Sequence, residues 1–157
     1  MLLNEIFSVQ HIKLNLESET KDETFEELVE TIIELRPELN RQELLEAITM
    51  RENQMNTAVA PGVAIPHGYC HTLGGIVGAI GISRTGIEYD TEAREMVHCI
   101  FMVLMSYERR EKHLAVLSKL LKLLNSETLT EMQSAKSAQE INDILCRFEQ
   151  SSHKELI

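Results

Sequence analysis

The sequence predicts a single α/β domain in which a mixed β-sheet is sandwiched between helices. Three observations carry that expectation. Residues 96–105 (MVHCIFMVLM) are almost continuously apolar, as a central strand covered on both faces must be. Apolar residues at helical spacing stand before that run (Phe25, Leu28, Val29, Ile32, Ile33) and after it (Ile141, Ile144, Leu145, Phe148). The order reads strand, two helices, a block of strands, then helices, without the regular alternation of a doubly wound parallel sheet.

Taken along the chain, residues 11–16 alternate, with Ile12, Leu14 and Leu16 on one side and Lys13 and Asn15 on the other, the pattern of a half-buried strand. The first helix stops short of Pro37. Asn40, with Glu43 three residues on, offers an N-cap to a second helix whose buried face is Leu44, Ala47 and Ile48. Periodicity then stops, and residues 52–62 (ENQMNTAVAPG) read as a loop. Residues 63–65 form a short apolar run that ends at Pro66 and His67. Glycine-rich residues 75–82 predict a closely packed strand, Arg84, Thr85 and Gly86 a turn, and residues 87–89 a short strand. Leu114, Leu117, Leu121 and Leu124 mark a helix, and Ser137 with Glu140 forms a capping box ahead of the last one. Residues 1–150 therefore read as one domain and residues 151–157 as a polar, frayed tail.

Composition narrows the function. No stretch approaches the roughly 20 apolar residues of a membrane span, and the first ten residues lack the basic and apolar regions of a signal peptide. A cytoplasmic protein without membrane insertion is expected. Cys70, Cys99 and Cys146 cannot all pair and show no disulfide framework, which suits a reducing compartment. The formal net charge of −10 argues against nucleic acid as a partner, because phosphate backbones demand clustered Lys and Arg. An acidic surface instead suits a basic protein partner, although acidity also serves solubility alone.

Chemistry-bearing residues are densest between residues 51 and 71, which hold Arg51, Asn56, Thr57, His67, Gly68, Cys70 and His71. Pro66 restricts the backbone just before His67, and Gly68 removes side-chain bulk just after it, so this histidine could be held still and approached closely. Neutral imidazole is a nucleophile near pH 7. The plainer alternative is a surface histidine beside a Pro-Gly turn. Cys70 with His67 and His71 suggests a metal site, but Gly68 argues against the helix that would put the two histidines on one face, and no further ligand stands at zinc spacing, so no metal and no cofactor are expected. His98 and Cys99 sit inside the apolar run and read as residues of opposite strand faces.

Arg51-Glu52, Thr57 and the segment Gly62-Val63-Ala64-Ile65-Pro66-His67-Gly68 resemble the active-site region of the IIA domains of the fructose/mannitol class. These domains belong to the bacterial phosphoenolpyruvate-dependent sugar phosphotransferase system and include the stand-alone nitrogen-related IIA regulators. The similarity runs over nearly the whole chain, and His113 ahead of Leu114 and Leu117 matches that family's second histidine at the head of a helix. The resemblance implies the mannitol-type IIA fold and a phosphocarrier that works through a phosphohistidine. His67 would accept the phosphoryl group on Nε2 from phospho-HPr, and pass it to a cysteine of a IIB domain or keep it as a regulatory mark read by a target protein. His113 would orient the site, Arg51 would support it electrostatically, and Asn56, Thr57 and Gly68 would support the phosphate. The chain carries no IIB or membrane segment, so an acceptor is expected in trans.

The sequence departs from the family at residues 56–60, which read Asn-Thr-Ala-Val-Ala where the family usually has Ser-Thr-Gly-Ile-Gly. Ala58 and Ala60 narrow the backbone freedom at φ > 0 that glycine provides, which leaves the loop shape open. Thr57 remains available to bond a phosphate. Away from the resemblance, His113 also reads as a solvated first-turn residue, and Arg51 as a helix-end arginine that merely suits the dipole. A small-ligand or metal-binding module using the same cleft is the rival function.

Overall fold

A computed structural model describes residues 1–90, 95–108, 110–124 and 127–154. Six helices and six strands follow in the order α1 (Leu3–Ile6), β1 (Ile12–Lys13), α2 (Lys21–Leu35), α3 (Arg41–Gln54), β2 (Ala58–Ala60), β3 (Val63–Ala64), β4 (His67–Cys70), β5 (Ile76–Glu88), β6 (Met96–Ser106), α4 (Arg110–Leu124), α5 (Thr128–Gln133) and α6 (Ala138–Lys154), among the described residues. The sheet runs β1-β5-β6-β3-β2, with β4 also on β6. It is mixed: β5 and β6 are antiparallel, whereas β1 on β5, and β3 and β4 on β6, are parallel.

Alternation along β6 builds the sandwich. Cys99, Phe101, Val103 and Met105 point into one core with Leu3, Ile6, Phe7, Val116, Leu120, Ile141 and Leu145. Ile100, Met102 and Leu104 point into the other, with Phe25, Leu28, Ile32, Leu44 and Ile48. Helices α2 and α3 therefore cover one face, and α1, α4, α5 and α6 the other. Burying a Leu, Ile or Phe side chain stabilises by about 1.5–3 kcal/mol, and both faces of β6 contribute such side chains.

The capping residues act as expected. The Asn40 side chain accepts the Glu43 N–H at 3.0 Å, and the Ser137 hydroxyl accepts the Glu140 N–H at 3.1 Å. The Glu43 carboxylate turns away from its own cap to bond Thr72.

Several local expectations need correcting. The strand expected at residues 11–16 is reduced to Ile12–Lys13 behind a 3₁₀ turn, although the Leu16 N–H still donates to the Ile82 carbonyl at 2.9 Å. Residues 52–62 are not one loop: α3 continues through Gln54, and Ala58–Ala60 form β2 against β3. Arg84, Thr85 and Gly86 do not divide two strands. They lie in an irregularity of one long β5, where the register against β6 shifts between Ile82 and Ile87 and Gly86 takes φ +99°. Along α4 the buried side chains are His113, Val116, Leu120, Leu123 and Leu124, while Leu114 (59 %) and Leu121 (46 %) are exposed. The leucine spacing identifies the helix, and of its four leucines Leu124 is buried and Leu117 packs against the core. Helix α6 runs on through Lys154, four residues into the expected tail, and residues 155–157 lie outside the described residues.

Candidate functional site

His67, just past the short apolar run of residues 63–65, is the first residue of β4. Strands β3 and β4 pair with the same edge of β6, Ala64 opposite Ile100 and His67 opposite Val103, so the register is kept across Ile65 and Pro66. The two are one strand interrupted where Pro66 has no N–H to give. The Pro66 carbonyl still accepts the Val103 N–H at 3.0 Å, and the Ile65 N–H turns to the Thr57 carbonyl at 3.0 Å. The interruption leaves the Ile65 carbonyl free to bond the His67 ring at Nδ1, 2.8 Å away.

That bond fixes the tautomer. A carbonyl oxygen only accepts, so Nδ1 carries the proton and the lone pair is on Nε2. Burial holds the His67 pKa below its ordinary value, and the nearby Arg51 charge lowers it further; the Ile65 bond and the Glu52 carboxylate pull the other way without reversing the shift. His67 is thus a neutral imidazole at pH 7, with Nε2 as a nucleophile.

Arg51 lies in the last turn of α3, half-buried, with Nη1 donating to the Met55 carbonyl at 3.1 Å. Its charge lowers the His67 pKa, and the guanidinium N–H groups not bonded to Met55 are of the kind that bind anions. His113, in the first turn of α4, is not a solvated residue: it is 2 % exposed, and its Nδ1 has no hydrogen-bond partner. Burial lowers its pKa. Its ring lies 6.0 Å from that of Tyr69, centroid to centroid. Tyr69 follows His67 by two residues on β4, so it projects from the same face of the sheet. His113 also lines a cavity of about 420 Å³ with Gly75, Ile76, Ser106 and Val116.

The other expected residues are placed differently from the roles foreseen. The Thr57 hydroxyl is 2.6 Å from Glu52 Oε2 and 2.9 Å from the Tyr89 hydroxyl, in a residue only 3 % exposed. Its proton is committed to Glu52, so it has no O–H to offer a phosphate. The Asn56 amide donates to the Tyr89 carbonyl at 2.9 Å and accepts the Ala58 N–H at 2.8 Å, which braces the segment from within. Gly68 faces α3 rather than a ligand: a Cβ there would meet the Ala47 carbonyl oxygen at 2.7 Å. Ala58 and Ala60 sit in extended β2, and Asp90 is the only non-glycine residue at positive φ among those described. The freedom lost with the two family glycines is not used in this backbone.

Cys70 projects from the face opposite His67 and is buried, its thiol pushed up to about 12 by burial. His71 stacks on Tyr107 at 4.1 Å. Alternation therefore separates Cys70 from the two histidines, and among the described residues no group of three His, Cys, Asp or Glu could hold a metal ion. His98 and Cys99 occupy opposite faces of β6, with Cys99 buried. The sequence places Glu52 in the motif that carries the resemblance without giving it a role, and gives Tyr89 none. A glutamate inside a polar helix end carries no signal of burial, and Tyr89 lay in an apparently separate short strand.

Residues 5–147 match the family described as "Phosphoenolpyruvate-dependent sugar phosphotransferase system, EIIA 2". The chain is 33 % identical over 147 residues to the fructose-specific EIIABC component of the phosphotransferase system of Bacillus subtilis, covering 92 % of this chain and 23 % of that much longer protein. The crystal structure of the nitrogen regulatory protein IIA-Ntr from Neisseria meningitidis superposes with a TM-score of 0.84 at 30 % identity, over 91 % of this chain and 98 % of that one. The fold is also that of enzyme IIA mannitol in its complex with phosphorylated IIB mannitol from Escherichia coli, with a TM-score of 0.74 at 17 % identity over 89 % of this chain and 98 % of that one. Among the described residues no helix is long and apolar enough to cross a membrane.

Proposed function

The chain belongs to the EIIA 2 family of the phosphoenolpyruvate-dependent sugar phosphotransferase system, and from that premise we propose that it is a cytoplasmic phosphocarrier acting through His67. Nε2 of His67 attacks the phosphorus of a phosphohistidine on an HPr-like donor. The new N–P bond forms as the donor's N–P bond breaks, and the donor imidazole leaves with the electron pair. The ring keeps its Nδ1 proton, and the Ile65 carbonyl that holds this proton also stabilises the positive imidazolium that results. The single observation carrying the reading is that 2.8 Å bond, which aims a neutral Nε2 away from the backbone.

The phosphoryl group adds roughly 1.5–2 negative charges. Arg51, whose charge is felt at His67, would meet them, and His113, neutral and unpartnered at Nδ1, would support the same face. Phosphoryl transfer asks for such positioning and charge stabilisation more than for covalent chemistry from the protein. Onward transfer runs to a IIB-type partner, as the mannitol IIA–IIB assembly suggests, or the mark is read by a regulatory target, as the nitrogen regulatory relative suggests. The test is reconstitution with phosphoenolpyruvate, enzyme I and HPr. Wild type should take up one phosphoryl group per chain and His67→Ala none; efficient labelling of His67→Ala would overturn the reading.

A further inference from the structure

Beneath the site, a buried carboxylate is joined to the His67 ring by three successive sets of hydrogen bonds linked through the backbone of Thr57 and Ile65. Glu52 is 5 % exposed. Its Oε1 accepts the Thr57 N–H at 3.0 Å, and its Oε2 accepts the Thr57 hydroxyl at 2.6 Å. The Thr57 carbonyl accepts the Ile65 N–H at 3.0 Å, and the Ile65 carbonyl accepts the His67 Nδ1–H at 2.8 Å. Lys21 lies 3.6 Å from Oε1, and the Tyr89 hydroxyl donates to the Thr57 hydroxyl oxygen at 2.9 Å. None of Glu52, Thr57 and Tyr89 is more than 5 % exposed, so none of them can dock a partner.

We propose that Glu52, acting through Thr57 and Ile65, is a positioning residue that sets the orientation and tautomer of the His67 ring. The inference rests on the phosphocarrier reading for its purpose, but not for its geometry. The chemistry requires a carboxylate. Thr57 presents two donors, its N–H and its O–H, and a carboxylate accepts both. Glutamine accepts with one atom only and would set an N–H₂ against the other donor, forcing the Thr57 hydroxyl to turn and displacing the Tyr89 proton as well. The slack passes through Thr57 to Ile65, the residue whose carbonyl holds the ring. Burial keeps the Tyr89 phenol protonated, which makes it a donor at any working pH. The end of α3 thus carries two roles: the Arg51 charge is felt at His67, and Glu52 is buried against Thr57, whose carbonyl bonds Ile65.

The decisive variants are Glu52→Gln, Thr57→Val and Tyr89→Phe, with Thr57→Ser as the conservative rescue. Ring ¹⁵N NMR of His67 reads the tautomer without any phosphoryl transfer, and steady-state phosphorylation by HPr reads the chemistry. Wild type and Thr57→Ser should show one Nδ1–H tautomer. Glu52→Gln and Thr57→Val should show mixed tautomer signals, with kcat lowered on the order of tenfold to a hundredfold and KM for HPr within about twofold, because the perturbed groups are buried and act on the ring through Ile65, away from any docking surface. Tyr89→Phe, which removes one donor to Thr57, should fall between. If Glu52→Gln does not fold, Thr57→Val and Tyr89→Phe decide. A single wild-type tautomer with an unchanged kcat in these variants overturns the inference. A wild-type protein that shows the ordered ring but takes no phosphate on His67 overturns the functional reading instead.

Discussion

Replacing Gly68 by alanine tests how tightly the site is held between β4 and α3. A Cβ at residue 68 would lie 2.7 Å from the Ala47 carbonyl oxygen, 2.8 Å from the Ala47 carbonyl carbon and 3.1 Å from the Ile48 nitrogen. All three are helix backbone, which cannot rotate away as a side chain would. Ordinary contact begins at 3.4 Å, so α3 and β4 must separate by roughly 0.7 Å. Overpacking of this kind costs about 1–3 kcal/mol, or about 2–12 °C in Tm for a chain of this size. The displacement has a second effect, because the same helix carries Arg51 and Glu52 at its far end and the same strand begins with His67. Gly68→Ala should therefore lower both Tm and the rate of His67 phosphorylation, the first by calorimetry and the second with HPr as donor. Wild-type values for both would refute the claim that Gly68 is required for backbone approach.

Other outcomes follow from the same contacts. Arg51→Ala should slow phosphorylation roughly ten- to a hundredfold by removing a charged hydrogen-bond donor, with His67 still the residue modified; an unchanged rate in a rapid-quench assay would leave Arg51 without a role. His113→Ala should slow transfer and also lower Tm, because the ring is buried against Tyr69. Stability should fall as pH drops below 6.5: His11, His67 and His113 are all held below that value chiefly by burial, so the unfolded chain binds the protons first, and stability present above 6.5 is lost as pH passes down through the folded values. Urea midpoints at neutral and mildly acidic pH check this, and equal midpoints would contradict it. Iodoacetamide should label native protein at Cys146 alone, since Cys70 and Cys99 are buried with thiols pushed up to about 12; peptide mapping that finds Cys70 labelled would contradict its placement.

The sequence made the sandwich legible because β6 is apolar on both faces and the helices flanking it in the chain are apolar on one. Helix α4 shows the limit of that reading. Leu114 and Leu121 share a helical stripe yet face outward, because the stripe one residue earlier, from His113 through Val116, Leu120 and Leu123, meets the sheet. A buried histidine at its head is invisible to a pattern that counts only apolar residues. Similarly, Arg84, Thr85 and Gly86 have turn composition, and only the pairing of both halves of β5 with β6 makes them a bulge. At the site, Pro66 and Gly68 single out His67 in the sequence and the family resemblance gives it a role, but the structure sets Gly68 against α3 and Thr57 against Glu52. Both are inward-facing contacts between one element and the next, and no local spacing encodes them.

The most direct test of the central claim is the position of the phosphoryl group on the ring. With Nδ1 held by the Ile65 carbonyl, only Nε2 has a lone pair to offer. Phosphorylated protein, kept at neutral or alkaline pH to preserve the acid-labile P–N bond, should show by ³¹P and ¹⁵N NMR a single phosphohistidine at His67, linked through Nε2 with Nδ1 still protonated. Linkage through Nδ1, or a phosphate stable in warm acid on a serine, threonine or tyrosine, would contradict it.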